Sequence, residues 1–141
     1  MSKNIIDNLV YPELSFKIVG CVYEVYNELG YGHLEKYYQK ALAISFRKHA
    51  LAFKEQVYFP LKFQDEIIGK GFCDFVVEDK VIVELKKKDR FTKANIDQVK
   101  QYLNSSKLQL AILFNFAPTS VVFKRLVNIP KPEPSPLTHT D

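Results

Sequence analysis

The apolar positions of the first fifty residues recur at helical spacing. Leu14, Ile18, Val22, Val25 and Leu29 lie three or four apart, on one face of an amphipathic helix. Ser15 stands where an N-cap is expected, and Gly30 where a left-handed residue would close the helix. After the GYGH break, Leu34, Tyr38, Ala41, Leu42 and Ser45 form a second such face, which predicts a helix from residue 34 to about 49. The period then changes. Val57, Phe59, Leu61 and Phe63 alternate with Tyr58, Pro60, Lys62 and Gln64, the pattern of a half-buried strand. Pro60 has no N–H to give a ladder, so an edge position or a bulge is expected there. Asp65-Glu66 is a polar break before a second strand over about 67–77. Glu78-Asp79-Lys80 then turns into VIVEL, residues 81–85, an apolar run suited to a central strand. A helix over about 93–104, a strand LQLAILF at 108–114 and a last strand over about 120–127 follow. The order ααβββαββ predicts an α/β fold, a mixed sheet flanked by helices.

The chain has 141 residues, enough for one domain. Residues 1–13 read as an N-terminal segment and 14–129 as the folded domain. The tail at 130–141, PKPEPSPLTHTD, holds four of the seven prolines and almost nothing apolar, so it reads as disordered. No apolar run approaches the ~18–20 residues that span a bilayer. MSKNIIDNLVYPEL lacks the features of a signal peptide. Cys21 and Cys73 form no metal or redox spacing and read as free buried thiols. A cytoplasmic protein without membrane contact is the expectation. The net charge of +4 is modest, but its placement is uneven. Between Glu84 and Lys107, Lys86, Lys87, Lys88, Arg90, Lys93, Lys100 and Lys107 outnumber Glu84, Asp89 and Asp97, and the rest of the chain is neutral. A local positive field suits a phosphate backbone. A solvated lysine-rich loop and helix face would carry the same charges.

Chemistry is suggested where the apolar strand ends. Glu84 and Lys86 flank Leu85, and alternation puts them on the same face of the strand. With the turn at 78–80 as a hairpin centre, Asp74 falls close to opposite Glu84. Two carboxylates side by side repel unless a proton or a cation lies between them. Mg²⁺ suits such a pair, because it takes oxygen ligands from one or two carboxylates together with phosphate and water. A nearby lysine can then orient the attacking water or neutralise developing charge. A strand end with a solvated Glu and Lys gives the same short string.

Four motifs in order give the chain a resemblance. Gly32-His33-Leu34-Glu35-Lys36-Tyr37-Tyr38 has the form GxxExxY, and Asp74 precedes Glu84-Leu85-Lys86 as in a D…ExK signature. Gln98 and Tyr102 form QxxxY, and ILFNF spans 112–116. In these motifs, over about residues 14–129, the chain resembles the GxxExxY proteins of the PD-(D/E)xK nuclease superfamily. The resemblance implies a restriction-endonuclease-like fold and a Mg²⁺- or Mn²⁺-dependent nuclease that hydrolyses nucleic acid, with DNA the expected substrate. Asp74 and Glu84 would bind the metal, Lys86 would help to activate the water, and Glu35 would reach the metal through water. Gln98 and Tyr102, four apart on a helix, would steady the site or contact phosphate. Lys87, Lys88, Arg90, Lys93 and Lys100 would carry the nucleic acid strand. A homodimer, with two sites for two strands, is compatible with the resemblance, though no interface is legible.

Two positions depart from the family pattern. Tyr26 and Asn95 stand where such proteins tend to carry histidine. The departures motivate an alternative, a nucleic-acid-binding module with the nuclease fold and no turnover. A protein-interaction subunit with a vestigial site is a third reading. Other chemistry finds little support: His33, His49 and His139 lack metal-ligand spacing, and no glycine pattern forms GxGxxG or a P-loop.

Overall fold

A computed structural model describes residues 10–88 and 90–128. The expected tail at 130–141, and His139 with it, lies outside the described residues, as do the first nine residues and Asp89. Three helices and five strands follow the expected order: α1 (Pro12–Leu29), α2 (Glu35–Lys48), β1 (Phe53–Phe63), β2 (Glu66–Val77), β3 (Val81–Lys86), α3 (Lys93–Ser106), β4 (Leu110–Phe116) and β5 (Val121–Val127). The five strands form one mixed sheet in the order β1-β2-β3-β4-β5. β3 and β4 run parallel, joined through α3, and the other neighbours are antiparallel. Among the described residues, no helix is long and apolar enough to cross a membrane.

The first helix begins earlier than Ser15. Pro12 occupies its first turn, where a missing N–H costs nothing, and Tyr11 caps it from a left-handed conformation. Ser15 is already inside, its N–H donating to the Tyr11 carbonyl at 2.9 Å. Gly30, at φ 72°, ends the helix as expected. The third helix starts with a capping box, in which Thr92 Oγ1 accepts from the Asn95 N–H and Asn95 Oδ1 accepts from the Thr92 N–H. The β1–β2 and β2–β3 hairpins turn on pairs of left-handed residues, Gln64-Asp65 and Glu78-Asp79.

The helices cover the sheet on two faces. α1 and α2 bury Ile18, Val22, Tyr38, Leu42 and Phe46 against Phe75, Val83, Leu85, Ile112 and Phe114. α3 buries Val99, Tyr102 and Leu103 against Phe59, Val76, Ile82, Ala111 and Leu113. β3 and β4 are therefore covered on both sides, which explains how apolar they are. β1 is an edge strand, as Pro60 requires, with a register shift at Leu61/Lys62 beside it.

β1 also starts earlier than the alternation suggests, because the hairpin changes faces part-way. Phe53 and Phe75 line the α1/α2 core, whereas Val57 and Cys73 line the α3 core. Strict alternation would keep 53 and 57, or 73 and 75, on one side. The switch falls at Gln56 and Asp74, which drop out of the Cα pairing while their neighbours Glu55↔Phe75 and Val57↔Cys73 remain paired.

Candidate active site

The β2–β3 ladder ends at Phe75↔Val83, one step short of Asp74 and Glu84. Beyond that point the two carboxylates take over the bonds between strands. The Asp74 N–H donates to Glu84 Oε1 at 2.7 Å, and the Leu85 N–H donates to Asp74 Oδ2 at 2.8 Å. Each acid thus binds the backbone of the opposite strand, and the pair is held side by side. Glu84 is buried and Asp74 partly so. The Lys86 Nζ stands 3.7 Å from Glu84 Oε2, on the face that alternation predicts. Gln56 Nε2 donates to the remaining oxygen, Asp74 Oδ1, at 3.3 Å.

The electrostatics follow from this burial. Glu84 is pushed up to about 8, first by lost hydration and then by the Asp74 charge, against the pull of the Asp74 N–H and of Lys86. Asp74 is raised too, again chiefly by burial, while the Leu85 N–H, Gln56 and Lys86 hold it down. The two groups titrate as a pair. Cys73, fully buried beside them, is pushed up to about 12 by burial and by both carboxyls, so it stays a thiol at neutral pH. Such a pair is short of positive charge. Its oxygen donors fit a hard divalent cation.

Glu35 opens α2 and reaches the same end of the sheet, its Oε2 accepting from the Lys87 N–H at 3.3 Å. Among the described residues, no three His, Cys, Asp or Glu side chains close around one metal position. The structure therefore brings Asp74 and Glu84 together, with Glu35, at the start of α2, bonded to the backbone where the chain leaves β3. The rest of the Gly32–Tyr38 string builds that corner. Gly32 takes φ 112°, a conformation natural to glycine. Buried Tyr38 donates to the Gly30 carbonyl and stacks on Phe116 with centroids 4.0 Å apart. His33 Nε2 lies 2.9 Å from the carbonyl of Leu29, at the end of α1.

The QxxxY pair divides. Tyr102 is buried, stacks on Phe59 and donates to the Phe72 carbonyl at 2.9 Å, two residues before Asp74. Gln98 is exposed, at the rim of the buried stripe of Asn95, Val99, Tyr102 and Leu103. Of the basic residues, Lys88, Arg90, Lys93 and Lys100 are exposed, and Lys87 places its ammonium 5.5 Å from the Tyr31 ring centre. Tyr26 ties α1 to the end of β4, donating to the Ala117 carbonyl at 2.7 Å, and Asn95 caps α3. The two departures from the family pattern thus have structural uses. Two residues escaped the sequence reading. Buried Asn115 accepts from the Lys88 N–H at 2.8 Å and donates to the Lys88 carbonyl at 2.7 Å, fixing the β3 exit. Its place in ILFNF, one polar residue in an apolar run, was the available signal. Gln56 gave no such signal, since a polar residue ahead of a strand is ordinary.

Three antiparallel strands, a parallel crossover through α3, and split strands bearing Asp, Glu and Lys define the restriction-endonuclease-like class of α/β protein. The model of the PD-(D/E)XK nuclease superfamily matches residues 12–126, and the chain belongs to that superfamily. The fold is also similar to the crystal structure of SSO0001, with TM-score 0.51 and 14% identity over 89% of this chain and 62% of that one. This chain thus spans less than two thirds of that protein, and at this identity the likeness concerns the fold alone. No curated protein matches the chain.

Proposed function

We propose that the chain is a Mg²⁺- or Mn²⁺-dependent nuclease that hydrolyses phosphodiester bonds in DNA. One observation carries the reading. Asp74 and Glu84 are fixed side by side at the split of β2 and β3, too buried to share that space as two free anions, with Lys86 at 3.7 Å. Asp74 and Glu84 would hold the cation and Glu35 would approach it through water. A bound divalent ion supplies an activated water and takes up charge on the phosphoryl group. Lys86 offsets developing negative charge or orients the attacking water. Tyr102 holds β2 behind Asp74, while Gln98, exposed on α3, is free to meet phosphate. Lys87, Lys88, Arg90, Lys93 and Lys100 would bind the backbone of the substrate strand, with affinity that falls as salt rises. The Gly32–Tyr38 string supports placing the chain among the GxxExxY proteins. A cytoplasmic setting and a homodimer with two sites belong to the same proposal.

The test is calorimetric titration of Mn²⁺ into the wild type and an Asp74→Ala/Glu84→Ala variant, with plasmid nicking measured alongside. Binding and nicking by the wild type, both lost in the variant, is the expected result. A wild type that binds no metal would overturn the proposal. Metal binding without cleavage of DNA or RNA would favour the silent nucleic-acid-binding module.

A further inference from the structure

We infer that Gln56 is a positioning residue of this site, holding the Asp74 carboxylate from the side opposite Leu85. The role of Asp74 as a ligand rests on the nuclease reading; the hold of Gln56 on it does not. Gln56 sits inside β1 at φ 48°, where its neighbours on both sides are paired to β2 and it is not. A left-handed conformation costs a residue with a side chain roughly 1–2 kcal/mol, so glycine would serve a mere kink better. Strain of this kind persists where the surroundings impose it, and it gathers at functional sites. Here it aims one amide at one carboxylate.

The bonding of the amide nitrogen is directional. Gln56 Nε2 has two N–H groups, and it faces two acceptors, Asp74 Oδ1 at 3.3 Å and Gln39 Oε1 at 3.1 Å. Gln39 lies one helical turn beyond Glu35 on α2, and its own Nε2 donates to Glu55 Oε1 at 3.4 Å. A neutral relay thus runs from the helix that carries Glu35 to the strand that carries Asp74. With Oδ2 held by the Leu85 N–H and Oδ1 by Gln56, the carboxylate plane is fixed, and each oxygen keeps one lone pair for a cation. An amide is the suitable donor. A lysine at this position would compete with the cation, and a glutamate would add to the repulsion.

Two variants separate this role from a backbone one. Gln56→Gly keeps the left-handed turn and removes the amide; Gln56→Met keeps the reach and removes the donor without adding charge. Mn²⁺ affinity should fall about tenfold in Gln56→Gly, the lower end of the 10–100-fold loss typical of partners behind metal ligands. Its melting temperature should be equal to or above that of the wild type. Without metal, the Leu85 amide proton should move upfield and exchange faster, because its acceptor is no longer held. Gln56→Met should show the same weakened metal binding, which covers a glycine variant that fails to fold. An unchanged Leu85 amide in both variants, with wild-type Mn²⁺ affinity, would overturn the inference. If the wild type itself binds no Mn²⁺, the nuclease proposal fails, and the Leu85 amide alone still decides whether Gln56 holds Asp74.

Discussion

Glu24 and Glu84 each have a basic side chain within 4 Å, and their carboxyls shift in opposite directions. At the surface between α1 and α2, Glu24 lies 3.0 Å from His49 Nε2 and accepts from Ser45 Oγ at 3.3 Å. These bonds, that of His49 foremost, hold it below the usual carboxylate range. Glu84 has Lys86 at 3.7 Å and a backbone N–H at 2.7 Å, yet burial and Asp74 drive it up to about 8. A basic neighbour therefore lowers a carboxyl only while water still serves the rest of the charge. At the split between β2 and β3, one ammonium does not offset lost hydration together with a second carboxylate. A glutamate beside a basic side chain thus makes a closed clamp in one place and a site short of cations in the other.

The sharpest way to break the comparison is to neutralise each acid in turn. Glu84→Gln should reduce metal-dependent cleavage to background in a plasmid-nicking assay, and Glu24→Gln should leave it at the wild-type rate. Lys86→Ala should lower the rate on the order of 10²–10³-fold, as loss of one charge-stabilising donor does, with the circular dichroism unchanged. Equal losses from the two glutamate variants would mean that the buried pair has no special part.

The pH dependence of stability separates the regions next. Glu84 titrates near 8 in the folded chain against 4.5 for a free side chain, so between these values the native state keeps a proton that the unfolded state has lost. Its contribution is fully present below the lower value and is lost as pH rises to the upper one, on the order of a few kcal/mol at most. For Glu24 the sense is reversed: the contribution is present above its unfolded pKa and lost as pH falls through the lower folded value. Melting curves of the metal-free protein should decline from pH 5 to 8, and Glu84→Gln should flatten the decline. If the pair holds Mg²⁺ as proposed, a saturating concentration at pH 8 should restore stability, because a ligand of the native state alone stabilises it. A flat wild-type profile would contradict the assignment.

How much of this could be read from sequence depended on whether periodicity held. Asp74, Glu84 and Lys86 were legible because a short turn and a period of two fix their register. Glu35 was legible as a residue near the start of a helix entered from a glycine turn. Gln56 was not, because its placement depends on a change of face at 56 and 74 that no alternation announces. The early start of β1 was hidden for the same reason. Spacing by four put Gln98 and Tyr102 on one side of α3 without saying which of them packs: Tyr102 lies inside the buried stripe and Gln98 at its rim.

The buried pair differs from the surface clamp in one more respect: it depends on packing that holds β2 in place. A Cβ on Gly71 would lie 2.7 Å from Tyr102 Cε1 and 2.9 Å from its hydroxyl, so this glycine is demanded by the close approach of the tyrosine ring. Gly71→Ala should cost about 1–3 kcal/mol in urea unfolding, the usual cost of overpacking, and should weaken Mn²⁺ binding by displacing the strand that carries Asp74. Tyr102→Phe is the milder probe. It keeps the stacking on Phe59 at 5.1 Å and removes only the hydrogen bond to the Phe72 carbonyl. The loss should be about 1 kcal/mol, with metal affinity close to that of the wild type. If Tyr102→Phe instead lost cleavage while its stability and metal affinity held, the hydroxyl would be acting on substrate rather than on β2. Tyr102 would then join Lys86 as a catalytic residue instead of standing behind Asp74 as a support.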